Sequence, residues 1–290
     1  MVIREMTVAD IPAGLGFCRA SGWNQIDGDW RYFLTRAPHG ALAAVENDQV
    51  IGTVATLPYG PFTWISMVLV HPAARRRGIG TMLLDRGLAL IPDDVAARLD
   101  ATPAGELLYR PRGFAPEYRL ARWFLDPKRA AHGDRADRVA SGFSRKTTVR
   151  RLDPADWPAI EPIDARAFGA SRIALLRRLA VDAPEYAWIA EQDSQVQGYL
   201  VGRHGHLREH LGPLIADSTD SARALLDACL DAHPDRTVFL DAPDDQREWT
   251  SLLAERGFAI ERPFLRMYRG RLDAAGQPSR IYAITGPEFG

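Results

Sequence analysis

Three stretches of this 290-residue chain combine residue types and spacings that could do chemistry. The first is Val68-Leu69-Val70-His71-Pro72, followed by Ala73-Ala74 and then Arg75-Arg76-Arg77-Gly78-Ile79-Gly80-Thr81. An apolar, β-branched run leads into a turn, a glycine-containing basic loop and an amphipathic helix. Gly78 and Gly80 omit side chains where the backbone must come close to something. The first N–H groups of the following helix lack intrahelical partners, and with the helix dipole they form an anion site. Arg75, Arg76 and Arg77 add positive charge and bidentate donors. The ligand these features suit is a pyrophosphate. Gly80-Thr81-Met82 lacks the Gly-Lys-Ser/Thr ending of a P-loop, and the third glycine of the dinucleotide fingerprint is absent.

The second stretch is Leu108-Tyr109, three residues, then Gly113-Phe114. The third holds His206 and His210, four apart, a spacing that would let both reach one metal from a helix. No third ligand is evident and the chemistry below needs no metal, so none is expected.

The elements that must position these residues follow from periodicity. Ala41–Glu46 and Gln49–Leu57 read as strands joined by the hairpin pair Asn47-Asp48. Trp64–Val70 is a strand, and Thr81–Ile91 a helix with Leu84, Leu88 and Ile91 on one face. Ala96–Ala101 is a strand, Ala104–Arg110 a short helix ended by Gly113, and Leu120–Leu125 a further strand. The fold class is α/β, with a mixed sheet flanked by helices.

The chain also repeats itself. Ile3-Arg4 with Ala9-Asp10-Ile11-Pro12-Ala13 returns 146 positions later as Val149-Arg150 with Ala155-Asp156-Trp157-Pro158-Ala159. Gln49-Val50-Ile51-Gly52 returns as Gln195-Val196-Gln197-Gly198, Leu99-Asp100-Ala101 as Leu240-Asp241-Ala242, Gly113-Phe114 as Gly257-Phe258, and Arg122 as Arg266. Constant order implies two domains of one fold: 1–126, a polar linker at 127–146, and 147–290.

These features resemble the GNAT superfamily of N-acetyltransferases, in its tandem form with a GNAT-like second half. Arg75, Gly78 and Gly80 match its R-x-x-G-x-G coenzyme A loop. Leu108-Tyr109 and Gly113-Phe114 match its Leu-Tyr-x-x-x-Gly-Phe signature. The resemblance implies acetyl-CoA as cosubstrate, with Val68, Leu69, Val70, Arg75, Arg76, Arg77, Gly78, Ile79, Gly80 and Thr81 binding it. The Val68 N–H would polarise the acetyl carbonyl, and Tyr109 would protonate the leaving sulfur. Thr102 stands where many members carry an Asn that bonds the cofactor arm, so that contact is altered. In the second half, Leu211 to Asp220 lacks the loop and Leu253 replaces the tyrosine. That half is therefore expected to complete the substrate pocket, cover the sheet or support assembly. Trp23, Asn24, Asp29 and Trp30 fall in the acceptor region. Glu46, Asp29, His71 or a water chain could remove the acceptor's proton.

The expected activity is acetyl transfer to a primary amine on a small molecule or peptide, by direct attack in a ternary complex. The competing reading is a non-catalytic acyl-CoA-binding module. A net charge of -1 gives no footprint for nucleic acid or an anionic membrane. No run of 18 apolar residues suggests a span. Only Cys18 and Cys229 are present, and no signal peptide opens the chain, so a reducing, cytoplasmic setting is expected. Monomer and homodimer both remain open.

Overall fold

The computed structural model describes residues 1–127 and 147–290. The expected linker, 127–146, lies outside the described residues except for Pro127.

The first half begins with β1 (Val2–Glu5), α1 (Ile11–Ala20) and α2 (Asp27–Arg36). It continues through β2 (Ala41–Glu46), β3 (Gln49–Pro58), β4 (Phe62–Val70), α3 (Ile79–Leu88), β5 (Ala96–Ala101), α4 (Pro103–Tyr109) and β6 (Ala115–Leu125). The second half repeats the order with β7 (Thr148–Arg151), α5 (Trp157–Phe168), α6 (Ile173–Asp182), β8 (Trp188–Gln192), β9 (Gln195–Arg203), β10 (Glu209–Ala216), α7 (Thr219–Ala232), β11 (Val238–Pro243), α8 (Arg247–Glu255) and β12 (Ala259–Arg269). A short β13 (Ile281–Ala283) follows and pairs with β10. Among the described residues no helix is long and apolar enough to cross a membrane.

Several repeated sequence signals have a local cause. Arg4 holds Asp10 through two hydrogen bonds of 2.8 and 2.9 Å, and Asp10 accepts the Thr7 N–H. Arg150 holds Asp156 in the same way at 2.7 and 2.8 Å, and Asp156 accepts the Asp153 N–H. Each carboxylate pins a first strand to the start of a first helix. Asn47-Asp48 and Asp193-Ser194 all take positive φ, the geometry of a two-residue hairpin turn that follows strand twist.

The strand order is β1-β2-β3-β4-β5-β12-β6-β11-β10-β9-β8-β7, a single mixed sheet. The halves have therefore exchanged their last strands. β12, from the second half, lies beside β5, while β6, from the first, lies beside β11. β6 and β12 pair antiparallel at the centre, with Leu120 opposite Phe264. Those two residues occupy equivalent positions in the repeat, since β12 begins 144 positions after β6. The pair thus marks a local two-fold relation within one chain.

The repeated aspartate and arginine pair across the exchange. Asp100 on β5 faces Arg266 on β12, and Asp241 on β11 faces Arg122 on β6. Each pair is bidentate, at 2.8 and 2.8 Å for Arg266 and 2.7 and 2.7 Å for Arg122. Asp100 and Arg266 side chains are fully buried. A charge buried this deeply is tolerated only when its partner is in place.

Asp241→Asn is expected to destabilise the protein by about 3–5 kcal/mol, because Arg122 keeps an uncompensated charge. The double change Arg122→Met with Asp241→Leu should recover most of that loss. Urea unfolding of the three proteins measures both numbers, and a single transition in the wild type would reflect the shared sheet.

Candidate active site

β4 runs parallel to β5 only from Phe62 to Trp64, opposite Ala96 to Arg98. Beyond Trp64 the two strands separate, and the edge of β4 from Ile65 to Val70 faces a cavity of about 370 Å³. A bulge directs this edge. β3 pairs Thr53 with Leu69 and Ala55 with Ser66, so β4 carries an extra residue there. Met67 takes a φ of 54°, a left-handed conformation that costs energy for a side chain of this kind. The Thr53 hydroxyl donates to the Met67 carbonyl at 2.8 Å and holds the bulge. The splay thus exposes the edge on which Val68, Leu69 and Val70 lie.

The basic loop sits at the end of this edge. Gly78 adopts a φ of 78° and immediately precedes α3, a turn that a side chain would strain. The first intrahelical bond of α3 runs from the Met82 N–H to the Gly78 carbonyl. The N–H groups of Ile79, Gly80 and Thr81 therefore lack intrahelical partners, as an anion site requires. The helix begins at Ile79 rather than Thr81, because the glycine turn itself supplies its first carbonyl acceptor. It ends at Leu88, three residues before the expected stop. The three arginines separate in role. Arg75 Nε donates to the Val70 carbonyl at 3.2 Å and lines the cavity. Arg76 is exposed and has no ion-pair partner among the described residues. Arg77 is turned away and pairs with Glu46 at 2.7 and 3.0 Å.

The opposite lip is α4. Thr102 caps it by accepting the Gly105 N–H at 3.1 Å, and Thr102 also lines the cavity. Its hydroxyl is thus engaged in helix geometry. The Tyr109 ring lies over Gly105 so closely that an added Cβ would sit 2.9 Å from Tyr109 Cε2. The ring also packs against Phe114 at 5.7 Å. Among the described residues the Tyr109 hydroxyl has no hydrogen-bond partner, and burial pushes its pKa well above the ordinary phenol value. The ring is held by packing while the hydroxyl is left for a ligand.

Other sequence expectations fall outside this arrangement. Glu46 is engaged by Arg77, and the His71 ring nitrogen accepts the Ala73 N–H at 3.2 Å. Asp29 is buried and bonded to Arg203. Trp30 is core, whereas Trp23 lines the cavity. Asn24 ties the halves together by donating to the Arg208 carbonyl and accepting from the Leu207 N–H. His206 and His210 do not share a helix. His206 is in a loop and His210 on β10, so the four-residue spacing brings no pair to one face.

Of the roles expected for the second half, completing the pocket is the one its residues take here, though the sequence did not show which residues would do so. Arg262, Phe264, Pro287 and Glu288 line the same cavity. Arg262 and Phe264 arrive on the exchanged strand β12. Pro287 and Glu288 arrive on the last segment, which crosses back to β4. There Trp64 Nε1 donates to the Pro287 carbonyl at 3.0 Å, and the Tyr59 hydroxyl donates to the Phe289 carbonyl at 2.8 Å.

The equivalent places in the second half are built differently. β10 leads directly into α7, which is capped by Ser218 rather than by a glycine loop. Asp217 there is bonded to Arg280. Leu253 is buried in α8.

The Acetyltransferase (GNAT) family model matches residues 14–114, and an Acetyltransferase (GNAT) domain model matches residues 160–283. This chain belongs to the GNAT acetyltransferases, with one such domain in each half. The uncharacterized N-acetyltransferase YitH of Bacillus subtilis (strain 168) is 24% identical over 285 residues, covering 95% of this chain and 94% of that one. A Pyrococcus horikoshii crystal structure, provisionally assigned as an acetyltransferase, is similar with a TM-score of 0.79 and 24% identity. It is matched over 100% of this chain and 95% of its own. A tandem GNAT protein from the clavulanic acid biosynthesis pathway has a TM-score of 0.66 at 16% identity, covering 92% of this chain and 97% of that chain. The tandem architecture of the fold is thus shared over whole chains.

Gly80 provides a separable test of the loop. A Cβ at Gly80 would meet Val70 Cγ2 at 3.6 Å and Leu108 Cδ2 at 4.0 Å, which is ordinary contact. Gly80→Ala should therefore leave thermal stability unchanged or slightly raised. It should weaken coenzyme A binding by about tenfold or more, through crowding of the phosphate approach. Calorimetric titration alongside a melting curve separates the two effects.

Proposed function

We propose that this tandem GNAT protein transfers an acetyl group from acetyl-CoA to a primary amine, by direct attack in a ternary complex within the 1–126 half. The observation that carries this reading is convergence. One cavity is bounded by the splayed β4 edge and by the free hydroxyl of Tyr109, and the start of α3 lies at its end.

The residues suit an acyl-CoA. The N–H groups of Ile79, Gly80 and Thr81, with Arg75 and Arg76, would hold its pyrophosphate, and the separated edge of β4 would pair with its amide-bearing arm. Bound there, acetyl-CoA supplies the activated acyl group. The Val68 N–H would face the acyl oxygen and stabilise negative charge on it as the amine attacks. The C–N bond forms and the C–S bond breaks. Tyr109 then gives its proton to the departing sulfur. A thiol and a phenol differ by about 1.5 pKa units in water, and burial that raises the phenol also raises a thiol expelled into the same cavity. Burial keeps Tyr109 protonated well beyond neutral pH. The 147–290 half supplies walls to the same cavity and no second phosphate loop.

Tyr109→Phe removes only the hydroxyl. It should lower kcat by about 10²-fold or more while changing the KM for acetyl-CoA little. The wild-type kcat should not decline on the alkaline side below about pH 10, because the raised tyrosine pKa leaves the acid loaded. Steady-state assays with an amine panel read both. Unchanged kcat in Tyr109→Phe would remove the acid assignment. Tight coenzyme A binding without transfer to any amine would favour a non-catalytic binding module.

A further inference from the structure

Four side chains lining the cavity carry buried polar atoms without a hydrogen-bond partner among the described residues: Gln25 Oε1, Ser66 Oγ, Arg262 Nε and Glu288 Oε2. Orphaned buried polar atoms are costly, and several sharing one cavity point to a polar occupant. Two of them are charged.

Glu288 is 2% exposed. Its Oε1 is bonded to Arg203, and Arg203 also bonds Asp29 at 2.9 Å. One guanidinium therefore serves two buried carboxylates. The second carboxylate oxygen of Glu288 is the part left open. Arg262 is the reverse case. Its neighbour Arg122 is neutralised by Asp241, whereas Arg262 has no ion-pair partner among the described residues. Burial pushes the Arg262 pKa down to about 10, so it is still a cation at neutral pH. Arg262 and Glu288 are not in ion-pair contact with each other. A carboxyl and a guanidinium, each with an unpartnered buried atom, thus belong to residues that line one space of about 370 Å³. That volume must also admit the acyl end of the donor, so the acceptor is small.

We propose that the acceptor is a small amino acid-like molecule, whose ammonium group meets Glu288 and whose carboxylate meets Arg262. This rests on the acetyl-transfer reading above. Glu288 then has a chemical task as well. Its carboxylate takes one proton from the ammonium group, leaving a neutral amine that attacks the acyl carbon; the second nitrogen proton, lost as the amide forms, replaces the one Tyr109 gives to sulfur, and the proton on Glu288 passes to solvent. Arg262 holds the other end of the acceptor and fixes which amine is presented. Both residues come from the second half, so acceptor choice and donor binding are assigned to different halves of the chain.

The test uses the full chain saturated with coenzyme A and titrated with β-alanine, γ-aminobutyrate and L-alanine, each beside its carboxamide. The best carboxylate should bind about tenfold or more tightly than its carboxamide. Arg262→Gln should erase that preference while leaving carboxamide and acetyl-CoA affinities unchanged. Glu288→Gln should lower kcat by about 10²-fold or more with a smaller change in acceptor KM, and Glu288→Asp should restore part of it. Equal binding of both members of each pair overturns the proposal, as does an absence of binding by all six compounds. An Arg262→Gln protein that loses carboxylate and carboxamide alike also overturns it. Acetyl-CoA binding and turnover are measured in parallel, since their absence would defeat the transferase reading rather than this one.

Discussion

Two buried carboxylate–guanidinium pairs govern how this chain is put together. Asp100 reaches Arg266 and Asp241 reaches Arg122, each across adjacent strands from opposite halves. A domain that kept its own last strand would place Asp100 beside Arg122 and Asp241 beside Arg266. Exchange and retention therefore offer the same charges the same kinds of partner, and pairing alone does not choose between them. In the exchanged arrangement β6 and β12 lie side by side, with Leu120 against Phe264 on the local two-fold. This arrangement turns two sheets into one, and it brings Arg262 and Phe264 to the mouth of a site whose phosphate loop lies in the other half.

The site itself is a product of separated strands. β4 and β5 pair for three residues and then part, because the bulge at Met67 turns the edge of β4. Once parted, the strands leave backbone groups facing a cavity rather than each other. Buried backbone without partners is costly in an empty protein and useful in one that binds an extended, amide-bearing ligand. The start of α3 and the Tyr109 hydroxyl follow the same pattern. In all three places the local fold is complete except for one set of donors.

Much of this was legible in the sequence because it rests on local rules. The glycine loop, the helix after it, the Leu108-Tyr109 signature and the hairpin at Asn47-Asp48 all depend on neighbours a few residues apart. The repeat was legible too, and its aspartates and arginines proved to be the very groups that join the halves. What stayed hidden was partner choice. Leu99-Asp100-Ala101 and Arg122 carry no mark of which strand they will meet, since equivalent strands offer equivalent faces. The last segment was hidden for another reason. Ile284 to Gly290 contains Gly286 and Pro287 and has no periodicity, so nothing local shows that Phe289 packs against the first half while Glu288 reaches Arg203. The His206–His210 spacing, not taken as a metal site in the sequence, belongs to no common helix, since His206 is in a loop and His210 on β10.

The exchanged strand also sets a timetable. During synthesis, the first half can form β1 to β5, but the neighbour that covers β5 and neutralises Asp100 does not exist until β12 has been made. Until then β6, which carries the equivalent Arg122, is the strand on hand for the edge of β5. Contacts this far apart in sequence close late and slowly. An unpaired strand edge is also a place where the wrong chain can add. In a crowded ribosome queue, the equivalent strand of a neighbouring copy would fit nearly as well. The architecture that lets one half equip the other's active site thus leaves the final neighbour of β5 to the end of synthesis.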